Sequence, residues 1–567
     1  MATAEPAVTR LEERSGGAAP ARGPLVYRLL VPSLCDIFFI TIICWRFLLG
    51  EGWTILLMDG DTGWHIRAGE WMLEHARIPT ADLFSFSRPG APWFAWEWLT
   101  DVAFAALHGW AGLKGVVLVS GLVIAAWTTV LLRHAMWRGA NAFAALGLAM
   151  AAFTAASMHF HARPHITTLL LVAITAWVLD RDRRQHTRAV WALVPLAGLW
   201  TNLHGGWLVL IVLVGLTAAG TAIESWLTGD RWMGAPLRYL LLLGLCSLAT
   251  LANPYGPALH GHIFRYLRED WIRKVVGEFQ APSFRGEAMA SFELLLIAGL
   301  ISIVPLLRAR RVTECLWLIF FAHAALTSAR HVTVYVTLAV PVLAAAASQG
   351  WRRWIETRPL HSAPRILEGI AHDLAPGLGR ISGATALFVV ILIAGDGAWL
   401  KWPVDFPAEF FPTRIVAEHA TRLANSRVLT KDQWADYLIY RSWPRQKVFF
   451  DGRSDFYGQQ LWTAYDDMAT GRSNWREQMT RHGINLVLAP ARWPLATLLK
   501  EAGWNALADD GTAVLLAPPR VAYSANTTDS GTRISGVIPT PFGAETRNAS
   551  LMKKSLSAES TRREPAA

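Results

Sequence analysis

Charged side chains are scarce in this chain of 567 residues. They make up 17% of the sequence, whereas an ordinary soluble domain carries about 25%. Hydrophobic residues make up 53%, and apolar stretches of about 17–25 residues, the length that crosses hydrocarbon, recur through residues 25–400. A soluble protein would interrupt such stretches with polar faces. The shortage of charge therefore predicts an all-α polytopic membrane bundle over residues 25–400.

Cysteine is also rare. The four cysteines, Cys35, Cys44, Cys246 and Cys315, lie in or beside apolar stretches, and no C-x-x-C pair occurs. We therefore expect neither a disulfide framework nor a cysteine metal site. The sequence also lacks a zinc-ligand cluster and any nucleic-acid motif, so its net charge of +10 does not predict a nucleic-acid partner.

Basic residues concentrate in every second segment between the apolar stretches, as they do in cytoplasmic loops. The apolar stretches predict about eleven transmembrane helices, and the alternation of basic residues agrees with that number and puts the N-terminus in the cytoplasm. Residues 1–24 would form a disordered cytoplasmic tail, and the first outer loop would be 50–112. The predicted spans are 25–49, 113–133, 139–158, 165–180, 189–203, 207–227, 238–252, 290–307, 312–328, 331–348 and 382–400.

Residues 401–518 have the character of a small soluble α/β domain on the periplasmic or extracellular side. Strand-like runs at 447–450, 485–489 and 513–517 alternate with helical patterns such as 433–441. Residues 519–567 are rich in Ser, Thr and Arg and lack periodicity, so we predict a disordered tail.

The first outer loop contains an acidic start followed by a basic and aromatic segment. Asp59 and Asp61 come first, His65 follows one helical turn after Asp61, and Arg67 lies on a neighbouring face. Carboxylates at this position are favoured at the start of a helix, because the exposed backbone amides stabilise them. The alternative interpretation is a catalytic or metal-binding carboxylate, since other polar groups fall on the same side of the membrane.

Those polar groups occur at the other outer turns. Taken singly, each is more typical of a capping or interface residue than of a ligand. Together they predict a cationic, His-rich pocket for a phosphate-bearing lipid head group. They are His159, His161, Arg163, His165, Asn202, His204, Asn253, Tyr255, His260, His262, Glu278, Arg330 and His331.

Few ionisable residues fall in the middle of the predicted spans; Asp36 and His323 are the ones we find. A transporter coupled to protons or ions is expected to place charges near the midplane. Asp36 keeps the transporter alternative open. The other interpretation is that Asp36 makes a structural hydrogen bond within the bundle.

The first outer loop resembles that of the GT-C superfamily of membrane glycosyltransferases. Residues 61–67, DTGWHIR, are similar to the D-x-x-x-N-x-R pattern of oligosaccharyltransferase catalytic subunits, with His65 in place of Asn. Residues 78–86, IPTADLFSF, resemble bacterial proteins related to the glycosyltransferase 39 group. The WWDYG signature of oligosaccharyltransferases is absent, and residues 451–458 read DGRSDFYG instead. Protein N-glycosylation is therefore in doubt, and Asp451, Arg453 and Asp455 fit either an acceptor-sugar site or a tight turn.

The resemblance implies transfer, with inversion, of a sugar from a polyprenyl-phosphate-linked donor to a glycan, lipid or protein acceptor. Asp61 would be the general base or would hold a metal, with Asp59 as its helper. Cationic groups such as Arg163, Arg330 and His331 would stabilise the departing phosphate. No cofactor is certain, and a divalent cation, Mg or Mn, is an option. The implied substrate-binding residues are His65, Arg67, His161, Arg163, His165, Asn202, His204, Arg330 and His331.

Two other functions remain open from the sequence. One is a transporter or flippase of lipid-linked sugar, which would need midplane polar groups and internal symmetry. The other is a GT-C-shaped protein without catalysis that takes part in cell-envelope assembly. Membrane lipids are partners in all three cases.

Overall fold

The computed structural model describes residues 31–50, 52–229 and 234–519. The tails predicted to be disordered, 1–24 and 519–567, lie outside these ranges apart from Pro519, and the first predicted span is described from residue 31. Up to residue 400 the helices are α1 (Leu34–Ile43), α2 (Asp61–His75), α3 (Trp98–Ala111), α4 (Leu113–Trp137), α5 (Ala142–Ala156), α6 (His165–Gln185), α7 (Leu193–Leu203), α8 (Trp207–Thr228), α9 (Gly234–Ala249), α10 (Pro257–Arg268), α11 (Asp270–Val275), α12 (Glu287–Arg308), α13 (Val312–Thr327), α14 (Val332–Glu356), α15 (Ala363–Leu378) and α16 (Ala384–Ala394).

Several of these helices are long and apolar enough to cross a membrane, so the chain is a multi-pass membrane protein. The described residues contain five of this kind: Leu113–Trp137, Ala142–His159, Trp207–Thr228, Ala288–Arg308 and Ala329–Glu356. Shorter apolar helices lie at Gly234–Ala249, Val312–Thr327 and Ala384–Ala394. The predicted number of eleven is not confirmed. For example, α7 has 11 residues and is about 17 Å long, roughly half of the hydrocarbon thickness.

Asp36, the ionisable residue predicted inside the first span, caps the start of α1. Its carboxylate accepts hydrogen bonds from the amide and hydroxyl of Ser33 at 2.7 and 2.6 Å. It also accepts from the amide of Ser382 at 3.0 Å and the hydroxyl of Thr385 at 2.6 Å. These bonds connect α1 to the start of α16, so Asp36 serves here as a structural hydrogen-bond acceptor.

Buried ion pairs fix the C-terminal ends of α4 and α6 against the start of α13. Asp180 contacts His134 at 3.0 Å and Arg138 at 3.4 Å. Glu314 lies between Arg138 and Arg183, at 3.1 Å from each. Since buried charges are costly unless they are paired, this network holds the helices in one arrangement and leaves their other ends to form a site.

After residue 400 the chain forms a small sheet with helices around it. The elements are α17 (Thr413–Glu418), α18 (Ala420–Ala424), β1 (Val428–Thr430), α19 (Asp432–Ser442), α20 (Ser454–Thr470), α21 (Trp475–His482), β2 (Leu486–Pro490), α22 (Pro494–Glu501), β3 (Asn505–Asp509) and β4 (Ala513–Ala517). The strand order is β1-β2-β4-β3. Strand β1 is parallel to β2, and β4 is antiparallel to both β2 and β3.

The predicted strands at 485–489 and 513–517 and the predicted helix at 433–441 are confirmed, whereas the strand at 447–450 is wrong. Val448 instead pairs with the first long loop, which is the predicted first outer loop 50–112. Its amide donates to the carbonyl of Phe84 at 3.0 Å, and its carbonyl accepts from the amide of Phe86 at 2.9 Å. The apolar run is thus buried against the loop rather than in the sheet, and this contact joins the C-terminal part to the N-terminal loop.

Helix α19 packs directly on the start of α2, and two glycines allow the close approach. A Cβ atom on Gly60 would lie 2.2 Å from the carbonyl oxygen of Gln433, and one on Gly63 would lie 2.7 Å from that of Asp436. The amide of Gly60 donates to the side chain of Gln433 at 2.6 Å. The C-terminal part therefore lies against the acidic start of α2.

Candidate active site

A cavity of about 520 Å³ opens between the first long loop, the starts of α6, α8 and α14, the loop after α11, and α19 with the turn that precedes α20. One wall is apolar, with Leu169 and Val172 from α6, Leu208 and Val209 from α8, and Val334 from α14. The remainder is polar. Eight residues of the predicted site line the cavity: Asp59, Asp61, His65, Arg163, His165, His204, Arg330 and His331.

Three residues of the predicted site do not line this cavity: Arg67, His161 and Asn202. Arg67 turns to the C-terminal part, where its Nε donates to the carbonyl of Tyr440 at 2.7 Å. The side-chain oxygen of Asn202 accepts from the indole of Trp98 at 2.7 Å, and its nitrogen donates to the carbonyl of Ala252 at 2.8 Å. Arg67 and Asn202 thus hold neighbouring segments together.

Arg163 binds three carboxylates from different segments. Its guanidinium lies 2.7 Å from Asp59, 2.8 Å from Asp61 and 2.8 Å from Glu278. Asp61 is the first residue of α2, and its amide donates to the side chain of Asp59 at 3.0 Å. Asp59 therefore binds the first amide of α2, and both carboxylates line the cavity.

The second oxygen of Asp61 lies beside another buried carboxyl group, that of Asp436 in α19. A Cβ atom on Gly452 would lie 2.1 Å from Oδ1 of Asp61 and 2.9 Å from Oδ2 of Asp436. Within the described part of the chain, neither of these buried oxygens has a conventional hydrogen-bond donor. Ionising both of these neighbouring buried carboxyl groups would bring like charges together, which favours the protonated form of one of them.

Burial is the largest cause of the pKa shifts of this pair. It raises the pKa of Asp61 to about 7, with Arg163 opposing the rise. Burial and the neighbouring Asp61 raise the pKa of Asp436 well above its ordinary value. These shifts favour a protonated Asp436 beside an Asp61 whose pKa lies near neutral pH.

A second group of buried titratable side chains surrounds Glu97, which lines the cavity. The Nε2 atom of His65 lies 3.8 Å from Glu97, and its Nδ1 lies 2.6 Å from Asp101. His204 lies 3.5 Å from Glu97, and its Nδ1 accepts from the amide of Gly206 at 3.0 Å. A neutral His204 therefore carries its proton on Nε2, which faces Glu97.

The pKa shifts of this group favour uncharged side chains. Burial raises the pKa of Glu97 to about 8, and burial with the neighbouring Glu97 raises the pKa of Asp101 well above its ordinary value. Burial with Arg163 lowers the pKa of His65 well below its usual range. Burial with Arg330 lowers the pKa of His204 to about 3.

The charge of the cavity differs from the prediction of a cationic pocket. Its arginines are Arg163, Arg330 and Arg453, whereas its carboxyl residues are Asp59, Asp61, Glu97, Glu278, Asp432, Asp451 and Asp455. Arg163 and Arg330 are both ion-paired with Glu278, and the buried histidines favour the neutral form. The predicted excess of positive charge is wrong, because carboxyl groups from other segments converge on the same cavity.

A divalent cation does not fit this arrangement. Among the described residues, no group of three or more His, Cys, Asp or Glu side chains is placed to hold a metal ion. Arg163 already binds one carboxylate oxygen of Asp59 and one of Asp61. We therefore derive no chemical step through a metal.

The charged residues of segment 451–455 belong to two ion-pair groups. Arg453 is buried, and its guanidinium lies 2.7 Å from Asp451 and 2.8 Å from Asp82 in the first long loop. Asp455 pairs with His262 at 2.9 Å. Asp451 and Arg453 therefore connect the loop to the C-terminal part, and all three residues also line the cavity.

The wild-type protein is expected to become less stable as the pH rises, and the Asp436→Asn variant is expected to lose less stability over the same range. A carboxyl group with a raised folded-state pKa holds a proton that the unfolded chain releases above about pH 4. The contribution of this carboxyl group to the free energy of unfolding is fully present at lower pH. It falls by up to about 1.4 kcal/mol per pH unit as the pH rises towards the folded-state pKa. Asn does not titrate, and its amide still donates to Asp61.

The measurement is the thermal unfolding midpoint of the full chain in detergent, followed from about pH 5 to 8. The control is Asp373→Asn, since the side chain of Asp373 is 87% exposed. If wild type and the Asp436 variant lose stability in parallel, the carboxyl pair does not hold the proton.

No protein-family model matches this chain, and no curated protein matches it. Solved structures resemble it in overall arrangement, and three of them are an archaeal oligosaccharyltransferase in two forms and a bacterial ArnT. The archaeal oligosaccharyltransferase AglB from Archaeoglobus fulgidus, in complex with an inhibitory peptide and a dolichol-phosphate, has 12% identity and a TM-score of 0.48, over 87% of this chain and 74% of that chain. An apo form of the A. fulgidus oligosaccharyltransferase has 10% identity and a TM-score of 0.48, over 80% of this chain and 68% of that chain. ArnT from Cupriavidus metallidurans in the apo state has 16% identity and a TM-score of 0.44, over 85% and 97%. These neighbours are GT-C membrane glycosyltransferases, the superfamily that the first loop resembles.

Proposed function

We propose that this chain is a membrane glycosyltransferase. It would transfer a sugar from a polyprenyl-phosphate-linked donor to a glycan, lipid or protein acceptor of the cell envelope. The observation that carries this proposal is the cavity, in which a buried carboxyl group with a pKa of about 7 lies beside arginines and an apolar wall of membrane helices. The N-terminus would be cytoplasmic, and the cavity would face outward from the inner membrane.

The cavity is amphiphilic in the way that a lipid-linked sugar requires. The apolar wall comes from α6, α8 and α14, and two of these helices are long and apolar enough to cross a membrane. A polyprenyl chain can lie along such a wall, because it exchanges lipid contacts for side-chain contacts. The phosphate and sugar would then lie at the polar end, where the arginines and Asp61 face the cavity.

In the proposed reaction, Asp61 acts as the general base. The acceptor oxygen attacks the anomeric carbon from the face opposite the phosphate, and its proton passes to Asp61. The bond between that carbon and the phosphate oxygen breaks, and its electron pair leaves with the lipid phosphate, so the configuration inverts. Asp59 supports Asp61 by capping its amide and by binding the same Arg163.

The growing charge on the phosphate would be stabilised by Arg163 and Arg330, with the polar hydrogen of His331 as a further donor. Such preorganised donors are worth about 3–4 kcal/mol each when the charge develops in the transition state. Glu97 remains largely protonated near neutral pH, so it can donate a hydrogen bond to a sugar hydroxyl.

Glycan and glycolipid profiling of a strain that lacks this protein tests the proposal. We expect one envelope product to lose a sugar and its polyprenyl-phosphate donor to accumulate. The accumulated donor should react with membrane-impermeant periodate in intact spheroplasts, because its sugar faces outward. Donor that reacts only in inverted vesicles would contradict the proposal and indicate a transporter.

A further inference from the structure

Glu278 lies between the two arginines to which the proposed function assigns the phosphate. Its Oε1 atom is 2.8 Å from Arg163, and its Oε2 atom is 2.8 Å from Arg330. Each oxygen of the carboxylate thus accepts from a different guanidinium. Glu278 belongs to the short 3-10 turn Gly277–Phe279 in the loop between α11 and α12.

This arrangement uses the groups that a phosphate would use. Arginine recognises carboxylate and phosphate by the same planar set of N–H donors. The phosphate of the donor is a diester whose single negative charge is shared by two non-bridging oxygens, so it can bridge two guanidinium groups in the same way. A donor phosphate and the Glu278 side chain therefore compete for one place.

The competing carboxylate is charged at physiological pH. Arg163 is the largest cause of its shift, and together with Arg330 it holds the pKa of Glu278 well below its ordinary value. Titration therefore does not remove Glu278 from the arginines near neutral pH. Another anion has to displace it.

The backbone of the loop is held independently of this carboxylate. The carbonyl of Glu278 accepts from the hydroxyl of Ser328 at 2.9 Å, and the carbonyl of Gln280 accepts from the amide of Ala329 at 2.9 Å. The guanidinium of Arg330 lies over the ring of Phe279 at 3.8 Å. The Glu278 side chain is 30% exposed, so it can rotate towards solvent while the loop stays in place.

We propose that Glu278 is a gate on the phosphate site, which occupies Arg163 and Arg330 until the phosphate of the lipid-linked donor displaces it. This inference rests on the proposed function for the identity of the ligand. The gate keeps the two guanidinium groups paired beside an apolar wall, and it opens to a ligand that brings a phosphate.

Phosphate binding by the full chain in detergent tests the gate directly. The probes are farnesyl phosphate, a short polyprenyl phosphate, and inorganic phosphate. We expect Glu278→Gln to bind farnesyl phosphate about tenfold more tightly than wild type, because two partly exposed ion pairs no longer compete. Combining Glu278→Gln with Arg330→Gln should abolish the gain, since one of the two guanidinium groups is then missing.

Glu269→Gln is the matched control, since Glu269 lies at the start of α11 in the same loop region and its side chain accepts from the indole of Trp271. It should bind both probes as wild type does. Glu278→Asp gives a second readout, because it keeps the charge but is too short to bridge both arginines. We expect it to tighten binding by less than Glu278→Gln does.

A gain confined to farnesyl phosphate supports the gate and shows that it responds to a phosphate attached to a polyprenyl chain. An equal gain for both probes supports the gate and indicates that it responds to the phosphate group alone. Unchanged or weaker binding by both folded Glu278 variants, checked by size-exclusion chromatography, overturns the gate. None of these outcomes depends on sugar transfer, so a failure of the gate and a failure of the proposed function are distinguishable.

Discussion

Replacing Asp61 by Asn is expected to lower the rate of sugar transfer by about 10²–10⁴-fold, the usual contribution of a positioned general base. Asn has the same shape, but its amide does not accept a proton from the acceptor hydroxyl. The folded protein should persist, because Arg163 keeps Asp59 and Glu278 as partners. The loss should therefore appear in the rate constant rather than in the amount of protein in the membrane.

Membranes from a strain that lacks this protein supply the accumulated donor for this measurement. Purified wild type and Asp61→Asn are added, and the rate of donor consumption is compared at equal protein. Asp373→Asn, on the exposed surface, is the matched control. Full donor consumption by Asp61→Asn would show that Asp61 is not the base, and restoration of the glycan in cells by this variant would favour a non-catalytic assembly role.

The same carboxylate predicts the pH dependence of the wild-type rate. Burial raises the pKa of Asp61 to about 7, and a general base has to be ionised to accept a proton. The rate should therefore rise as the pH increases through about 7, up to the range near 8 in which Glu97 loses its proton. A rate that is flat across this range would assign the base to another group.

Local patterns in the sequence predicted the elements that depend on local physics. The helix starting at Asp61 and the strands at 486–490 and 513–517 follow from capping, turn residues and apolar runs. The start of the first long loop could also be identified as acidic. Each of these features involves residues that are near one another in the chain.

The partners of the site could not be predicted, because they come from distant segments. Asp436 lies 375 positions after Asp61 and reaches it through a close approach that Gly452 permits. Glu97 and Asp101 are four residues apart around the start of α3, so their spacing predicts one helical face, but their contacts with His65 and His204 depend on tertiary packing. The charge of the cavity was mispredicted for the same reason.

Replacing Arg453 by Leu is expected to destabilise the contact between the first long loop and the C-terminal part by about 3–5 kcal/mol. The side chains of Arg453, Asp82 and Asp451 are at most 1% exposed. Without the guanidinium, two carboxylates remain buried and unpaired, and the ring contacts of Arg453 with Phe84 and Trp93 are lost. The measurement is the thermal unfolding midpoint in detergent, together with protease cleavage within residues 401–518.

A second variant separates the effect of the unpaired carboxylates from the effect of the lost packing. Leu at Arg453 combined with Asn at both Asp82 and Asp451 removes the unpaired charges, so it should recover part of the stability that the single variant loses. Arg445→Leu is the control, since Arg445 is exposed in the same segment and should change the midpoint little. If the triple variant is no more stable than the single one, packing rather than charge holds the loop. Recovery would instead show that the unpaired carboxylates of Asp82 and Asp451 cause most of the loss in the single variant.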